Sequence, residues 1–324
     1  MKRKERVLIL ADLEGIYGVY DLSDMNYCKC AYCEEISIYL ETLVKEEIEH
    51  ITLCDIHDQG NLLFDLRRRY EGIDLEIVST VENINPNTKY DFALLVGFHG
   101  MVGSFGILPH TLRYNFTNVA VYSEKWKSKV SIGEVGIYSR WLAGKGIPVI
   151  LASGDREAVY EANQFNPYRA TCCVKSIFER EEVSKELLRY RIEQAIIAAL
   201  QLDYNKCFET DDEKVYITFI NKDFTNKLTD LGFRREDEFI TYDNCFTFIN
   251  EVYRIADLLI EFDKTIFSVN VDFLNQIKRT ITSMGRQVFD ESEVGKMLAG
   301  QTIYTMDATV RTNVLEQLRK NTDL

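Results

Sequence analysis

Six short apolar runs, separated by amphipathic stretches, dominate the first 154 residues of the sequence. They show little of the polar alternation of a strand with one solvated face, so each is typical of a strand buried on both sides. Such strands occur in parallel sheets that carry helices on both faces. The runs are RVLILAD (6–12), HITLCDI (50–56), LEIVST (75–80), DFALLVG (91–97), NVAVYSE (118–124) and PVILASG (148–154). We therefore predict an α/β fold with a mostly parallel, doubly wound sheet.

Helical patterns between and after these runs divide the chain into three predicted regions. The patterns are EEISIYLETLVKEEIE (34–49), NLLFDLRRRY (61–70), EVGIYSRWLAGKG (134–146) and VSKELLRYRIEQAIIAAL (183–200). We predict an α/β domain over residues 1–203, which the last of these helices closes. Residues 204–264 hold two further β-like runs and a helical pattern, which predicts a smaller α+β region packed on the first domain. Residues 265–324 are helical in pattern and predict a C-terminal extension.

Charge and composition argue against several classes of partner. A net charge of −13 and a pI near 5.0 disfavour nucleic acid and anionic membranes, which need a basic surface. No stretch approaches the roughly 20 apolar residues of a membrane span, and the basic start MKRKERVLILADLEG lacks the long apolar core of a signal peptide. We expect a cytoplasmic protein without nucleic-acid or membrane partners, in which a reducing compartment keeps the eight cysteines as thiols.

Acidic and histidine residues stand at the ends of predicted strands or at the start of the following helix. They are Asp12, Glu14, His57, His99 and Glu134. Because the carboxyl ends of parallel strands share one edge, where ligands bind, we expect these side chains to converge. A sixth residue, His110, comes eleven residues after His99.

Three carboxylates and two imidazoles form a donor set that suits Zn²⁺, with Mn²⁺, Co²⁺ and Fe²⁺ open on ligand type alone. Five protein ligands exceed what one catalytic zinc takes, because such a site keeps a position open for water. With one bridging carboxylate they suit two metal ions about 3.5–4 Å apart. Taken singly, each residue also has a structural interpretation: Asp12 as a turn cap, and Glu134 as a first-turn acid facing a helix dipole. The pattern alone leaves both interpretations open.

At these same positions the sequence resembles the DppA-type D-aminopeptidases, a family of dinuclear zinc metallopeptidases. The motifs that carry the resemblance are ADLEG, CDIH, VGFHG, LPHT, IGEVG and PVILASGD, in the family's order and close to its spacing. The resemblance covers about residues 6–200 and continues more weakly to about residue 262.

The resemblance implies an aminopeptidase for short peptides, notably those beginning with D-alanine, and a homo-oligomer. It implies that two zinc ions per subunit are held by Asp12, Glu14, His57, His99 and Glu134. Asp12 is the implied bridge between the two ions, and His110 is the implied nucleophile or general base. Asp55, two residues before His57, is either a residue that orients a ligand imidazole or an ordinary loop carboxylate.

Two departures from the family pattern keep other functions open. The segment between His110 and Glu134 looks longer than the family norm, and the chain after about residue 265 looks like an extension. One alternative is a dinuclear-metal amide hydrolase that acts on a modified or biosynthetic peptide. Another is a non-catalytic relative that binds peptide or organises an assembly, although the presence of all six site residues counts against it.

Three closely spaced cysteines, Cys28, Cys30 and Cys33, raise the question of a second metal site. They offer three thiolates where a structural zinc or an iron–sulfur cluster normally takes four, and Cys54 is the one candidate to complete the set in the first half. We interpret them as a surface thiol cluster, with metal binding as the alternative. The adjacent pair Cys172 and Cys173 lies in an apolar run and is interpreted as small core residues.

Overall fold

The computed structural model describes residues 3–57, 63–70, 72–112, 116–124, 127–176, 183–210, 212–219 and 221–269. The strands are β1 (Arg3–Ala11), β2 (Ile48–Asp55), β3 (Asp74–Val78), β4 (Phe92–Phe98), β5 (Phe116–Ser123), β6 (Ser128–Ser131), β7 (Val149–Asp155), β8 (Ala170–Lys175), β9 (Val215–Phe219), β10 (Arg235–Glu236) and β11 (Phe239–Tyr242). The helices are α1 (Met25–Lys45), α2 (Glu134–Gly144), α3 (Arg156–Phe165), α4 (Lys185–Ala199), α5 (Lys222–Asp230) and α6 (Cys245–Val269).

The larger sheet is parallel, with strand order β3-β2-β1-β4-β7-β8. In the register of β1, Ala11 lies opposite Asp55 of β2 on one side and Val96 of β4 on the other. Val7 and Ile9 pack in the core cluster that also holds the buried faces of α1 and α4, while α2 packs on β4 and β7 and α3 packs on β7 and β8. The predicted doubly wound sheet is confirmed.

The chain order reverses between β1 and β4. Connections from β1 lead toward β3 at one edge, and those from β4 lead toward β8 at the other edge. Where neighbouring connections diverge in this way, a crevice opens at the carboxyl ends of the two strands, and this is the usual ligand position in open α/β sheets. The crevice is therefore bordered by the residues that directly follow β1 and β4.

A second, antiparallel sheet has the order β10-β11-β9-β5-β6 and matches the predicted smaller α+β part. It includes β5, which covers the run NVAVYSE (118–124) that we expected in the parallel sheet, so that expectation was wrong. Ser123 and Ser128, which pair at the facing ends of β5 and β6, are only five positions apart. So short a connection permits antiparallel pairing alone, because a parallel crossover needs a dozen or more residues.

Helix α1 begins at Met25, nine residues before the predicted start. The carboxylate of Asp24 caps it by accepting hydrogen bonds from the amides of Asn26 and Tyr27 (3.1 and 3.0 Å). The three clustered cysteines therefore lie on a helix, where Cys28 is buried and Cys30 is exposed. Among the described residues, no group able to share a metal ion includes a cysteine. The thiol interpretation fits this arrangement, except that Cys28 belongs to the core.

Other helical predictions differ in extent from the structure. In the helix predicted at 61–70, the described residues form a 3₁₀ turn at Phe64–Arg69, and helices α3 and α5 were not predicted. The chain divides into two units after Val252, and the second is described only as far as the end of α6 at Val269. The boundaries predicted at 203 and 264 stay predictions, and residues 270–324 of the predicted extension lie outside the described residues. Within the described chain, every helix is too short or too polar to cross a membrane.

Candidate metal centre

The chain leaves β1 by crossing over the carboxyl end of β4. The amide of Asp12 donates to the Val96 carbonyl (2.8 Å), and the amide of Gly15 donates to the Gly97 carbonyl (2.7 Å). A Cβ atom on Gly15 would lie 1.8 Å from the carbonyl oxygen of Phe98, so only glycine permits this approach. The crossing keeps the carboxylates of Asp12 and Glu14 buried at the crevice between β1 and β4.

Two histidines from the strands on either side of β1 meet these carboxylates. His57, which follows β2, places Nδ1 at 2.8 Å from Glu14 Oε2 and 3.7 Å from Asp12 Oδ1. His99, which follows β4, places Nε2 at 3.5 Å from Asp12 Oδ2. The other ring nitrogen of His99 lies 3.0 Å from the Gly100 carbonyl, which can only accept, so Nδ1 is the donor. In the neutral ring, Nε2 therefore carries the lone pair that faces the carboxylates.

His110 lies in a turn between two leucines with left-handed backbone conformations, Leu108 (φ +55°) and Leu112 (φ +60°). Such conformations are costly for bulky residues and are concentrated at functional sites. The His110 amide donates to the Gly100 carbonyl (3.2 Å), and its Nδ1 donates to the Leu108 carbonyl (2.9 Å). The turn therefore determines both the position and the tautomer of the imidazole.

The His110 ring faces the same cluster. It stacks on the His99 ring with a centroid distance of 4.1 Å and an interplanar angle of 14°. Its Nε2 lies 3.9 Å from Glu14 Oε1 and 4.0 Å from Glu134 Oε1. This nitrogen is thus the one available for a ligand or a proton on the cluster side.

Glu134 is the first residue of α2, and its Oε1 lies 3.4 Å from His99 Nε2. The same oxygen accepts a hydrogen bond from the Leu112 amide (2.7 Å), which joins the His110 turn to α2. The start of α2 is in turn held by Glu161 of α3, whose Oε1 accepts from the amides of Gly133 (2.8 Å) and Gly136 (2.9 Å). A buried carboxylate on α3 therefore sets the position of Glu134.

The structure brings all six residues singled out in the sequence into one cluster, in which four are buried and His57 and His110 are partly exposed. Two groups have donor atoms within 4.8 Å of one another: Asp12, Glu14 and His99, and His99, His110 and Glu134. His57 lies outside both groups but contacts Glu14. His110, expected only as a nucleophile or base, thus also lies where a metal ligand could stand.

The donor atoms of this cluster fit divalent cations. Asp12 Oδ2 and His99 Nε2 are buried and have no hydrogen-bond partner. Leaving such atoms unsatisfied costs about 1–3 kcal/mol each, and coordination to a metal ion would satisfy both. The set of imidazole nitrogens and carboxylate oxygens is the kind that binds zinc, and the rings of His99 and His110 are each oriented by a main-chain carbonyl.

The charges of the cluster show what a cation would replace. Burial and the nearby Glu14 carboxylate raise the pKa of Asp12 to about 8. Burial lowers the pKa values of the imidazoles, but the carboxylates outweigh it and raise the pKa of His57 to about 11 and that of His99 to about 10. For His110, burial and the neighbouring His99 together lower the pKa. Protons on two imidazoles thus balance the carboxylates, and a metal ion would displace them.

Several supporting residues were not assigned a role from the sequence. Asp155, at the end of β7, accepts from the amides of Gly100 (3.1 Å), Ile107 (3.2 Å) and Ala158 (2.9 Å) and so anchors the loop that leads to His110. The rule that singled out Asp12, a carboxylate at the end of an apolar run, would also have found Asp155. Glu161 gave no such signal, since it lies on an unpredicted helix.

Asp55, for which two roles were open, contacts the backbone of the turn that carries His57. Its Oδ1 accepts from the His57 amide and from the Tyr32 hydroxyl, both at 3.3 Å. The carboxylate is fully buried, so it is not an ordinary exposed loop residue. Asp55 therefore orients the turn that presents His57.

The fold and the cluster together define an α/β protein with a histidine–carboxylate site at the switch point of a parallel sheet. The family model described as D-aminopeptidase (Peptidase_M55) matches residues 6–229. The chain belongs to this family, as the sequence motifs predicted.

Two known proteins show how far the similarity extends. A D-aminopeptidase of Bacillus subtilis (strain 168) is 22% identical over 189 residues, which cover 55% of this chain and 66% of that protein, just under two thirds of its length. The solved structure of the "Zn-dependent D-aminopeptidase DppA from Bacillus subtilis, a self-compartmentalizing protease" superposes with a TM-score of 0.65 at 18% identity. The superposition covers 78% of this chain and 98% of that one, and at this identity it shows a shared fold.

Proposed function

We propose that this protein is a zinc-dependent aminopeptidase that removes the N-terminal residue of short peptides. The observation that carries the proposal is the meeting of His99 Nε2 and Asp12 Oδ2, buried and without hydrogen-bond partners, within a cluster of three further potential ligands. Membership of the D-aminopeptidase family and the names of the two relatives support the reaction and the metal.

The residues that would hold zinc are Asp12, Glu14, His57, His99 and Glu134, and we propose two ions per subunit, which would share Asp12 as a ligand; Asp12 contacts His57 and His99 through its two carboxylate oxygens. When bound, zinc polarises a carbonyl and lowers the pKa of a bound water toward neutrality. The protein contributes a buried, low-dielectric site in which these charges act strongly. The turns described above hold the donor atoms in place before metal or substrate arrives.

His110 is the proposed general base or nucleophile. Because burial and His99 lower its pKa, the ring is neutral near pH 7. Its Nδ1 proton is held by the Leu108 carbonyl, so Nε2 presents a lone pair to the cluster and can take up a proton or attack a carbonyl. A neutral, oriented imidazole beside a cationic centre is the arrangement that peptide hydrolysis needs.

The proposed substrates begin with a D-residue, a preference supported by the family and by the names of the relatives. The test is zinc analysis of the purified protein together with hydrolysis of D-alanine and L-alanine p-nitroanilides, with and without chelator. We expect about two zinc ions per chain and chelator-sensitive cleavage of the D-anilide. Cleavage that chelator leaves unchanged, in a protein without zinc, would contradict the proposal, whereas a zinc-loaded protein inactive on both anilides would favour another amide substrate.

The matched control for His110→Ala is His50→Ala. His50 lies on β2 outside the cluster and pairs with Asp74 at 2.9 Å, with 39% of its side chain exposed. We expect the His110 variant to lose about 10²-fold or more in kcat and the His50 variant to keep wild-type activity. Equal activity of both variants would remove His110 from the mechanism.

We further propose a homo-oligomer in the cytoplasm. The description of the solved relative as self-compartmentalizing supports self-association, and the absence of disulfides among the eight cysteines, all within the described residues, is typical of a reducing compartment. Sedimentation velocity measures the first proposal directly: a single monomeric species at micromolar concentration would contradict it.

A further inference from the structure

Lys175, the last residue of β8, is a buried cation outside the metal cluster. The residue is only 3% exposed, and its ammonium group donates to the carbonyl oxygens of Glu14 and Val19. Both carbonyls belong to the segment that leaves β1 and crosses β4. A lysine at the edge of the sheet thus holds the main chain that follows its central strand.

Burial of an ammonium group is unfavourable unless hydrogen bonds and opposite charges compensate it. The two carbonyls supply hydrogen bonds, and the carboxylates that act electrostatically on the Lys175 ammonium are Asp155, Glu35, Glu14 and Asp12. An apolar side chain at this position would avoid the desolvation cost altogether. The lysine therefore provides something that packing alone does not.

Two main-chain amides of the same segment are held by other elements. The Tyr17 amide donates to the buried carboxylate of Glu35 on α1 (2.8 Å), and the Gly15 amide donates to the Gly97 carbonyl. Lys175 donates hydrogen bonds to the carbonyls at the two ends of this segment, those of Glu14 and Val19. The main-chain donors and acceptors of the segment are thus bound to three different elements, α1, β4 and β8. Because both the Glu14 carbonyl and the Gly15 amide are bound, the peptide unit between these residues has little freedom to rotate.

We propose that Lys175 is a positioning residue for the metal centre, which holds the Glu14 and Val19 carbonyls and thereby fixes the direction of the Glu14 carboxylate. The inference rests on the proposed function, in which Glu14 is a metal ligand. It assigns to β8 a part in metal binding although β8 contributes no ligand.

The test compares Lys175→Met with Lys175→Gln, which keeps two N–H donors without the charge. Affinity for Zn²⁺ is measured by competition with a chelator, and Co²⁺ substitution reports ligand geometry through its visible absorption. Lys185→Met is the control for loss of a lysine, since Lys185 is exposed and pairs with Glu34 at 2.8 Å. Ile196→Ala, in the core cluster on α4, is the control for lost stability.

We expect Lys175→Met to weaken Zn²⁺ binding by about 10- to 100-fold and to alter the Co²⁺ spectrum. Lys175→Gln should fall between this variant and the wild type, and both controls should keep wild-type affinity and spectrum. If Lys175→Met does not fold, Lys175→Gln decides.

Two results would overturn the role of Lys175 and leave the proposed function intact. One is wild-type affinity and spectrum in folded Lys175 variants, and the other is a loss of Zn²⁺ affinity in Ile196→Ala equal to that in Lys175→Met. A wild-type protein that binds neither Zn²⁺ nor Co²⁺ overturns the proposed function, and the role of Lys175 with it.

Discussion

Replacing Gly15 with alanine tests whether the crossing of β4 is what places Asp12 and Glu14. A Cβ atom at this position would lie 1.8 Å from Phe98 O, 2.3 Å from Phe98 C and 2.4 Å from Gly97 C. All three are backbone atoms of β4, which cannot rotate away as a side chain would. The alanine methyl group can be accommodated only if the segment after β1 lifts off the sheet.

The size of the effect follows from these distances. An ordinary carbon–oxygen contact is about 3.3 Å, so the segment has to move by about 1.5 Å. This displacement breaks the 2.7 Å hydrogen bond from the Gly15 amide to Gly97, worth about 1 kcal/mol. Overpacking of a core adds about 1–3 kcal/mol. We expect the free energy of unfolding to fall by about 2–4 kcal/mol and the melting temperature by about 4–8 °C.

Thermal unfolding with and without Zn²⁺ is the assay, since a ligand that binds the folded state raises its stability. The variant should melt lower and should show a smaller zinc-induced shift, because the neighbouring Glu14 carboxylate moves with the segment. The matched control is Gly72→Ala, since a Cβ atom on Gly72 would have no atom within 4 Å. A Gly15 variant within about 0.5 kcal/mol of the wild type, with an undiminished zinc shift, would refute the reasoning.

Three further predictions concern protons, loops and buried charges. Zinc affinity should rise with pH, because His57 and His99, with pKa values of about 11 and 10, carry protons that zinc must displace. Calorimetric titration in two buffers of different ionisation enthalpy counts the protons released on zinc binding. A release of no protons near pH 7 would contradict this prediction. Asp155→Asn should cost about 1–3 kcal/mol in urea unfolding, because its carboxylate accepts from three main-chain amides, while an unchanged midpoint would exclude the anchor role. Glu209→Gln should cost about 3–5 kcal/mol because it removes the carboxylate that pairs with buried Arg169 and one of the two that pair with buried Arg140, whereas Glu236→Gln, which breaks an exposed pair, should cost under about 1 kcal/mol.

The parallel sheet could be predicted because its signals are local. A strand buried on both faces needs a continuous apolar run, and polar residues can resume only where the strand ends. Asp12 and His99 are therefore recognisable as strand-end residues before any partner strand is known. Since all strands of a parallel sheet end at the same edge, this rule alone places such residues on one side of the molecule.

Strand pairing could not be inferred from the apolar pattern. The run at β5 has a continuous apolar centre like those of the parallel strands, and its short connection to β6 rather than its own residues decides that it pairs antiparallel. The β-like stretch KVSIG, a few residues later, was the available hint of a hairpin. The roles of Glu161 and Lys175 were likewise invisible, because each acts on main-chain atoms far away in sequence.

The stretch VLILADLEGI illustrates the division between local pattern and packing. Local pattern alone specified a buried strand with two carboxylates at its exit, because apolar continuity and chain direction are properties of the residues themselves. Only the packing shows why a glycine stands at position 15, where the backbone lies against the Phe98 carbonyl of β4. The distances among donor atoms depend on strand order and on contacts from α1, α3, β7 and β8. These are long-range interactions that the chain acquires only when it folds, and they turn six separated residues into one cluster.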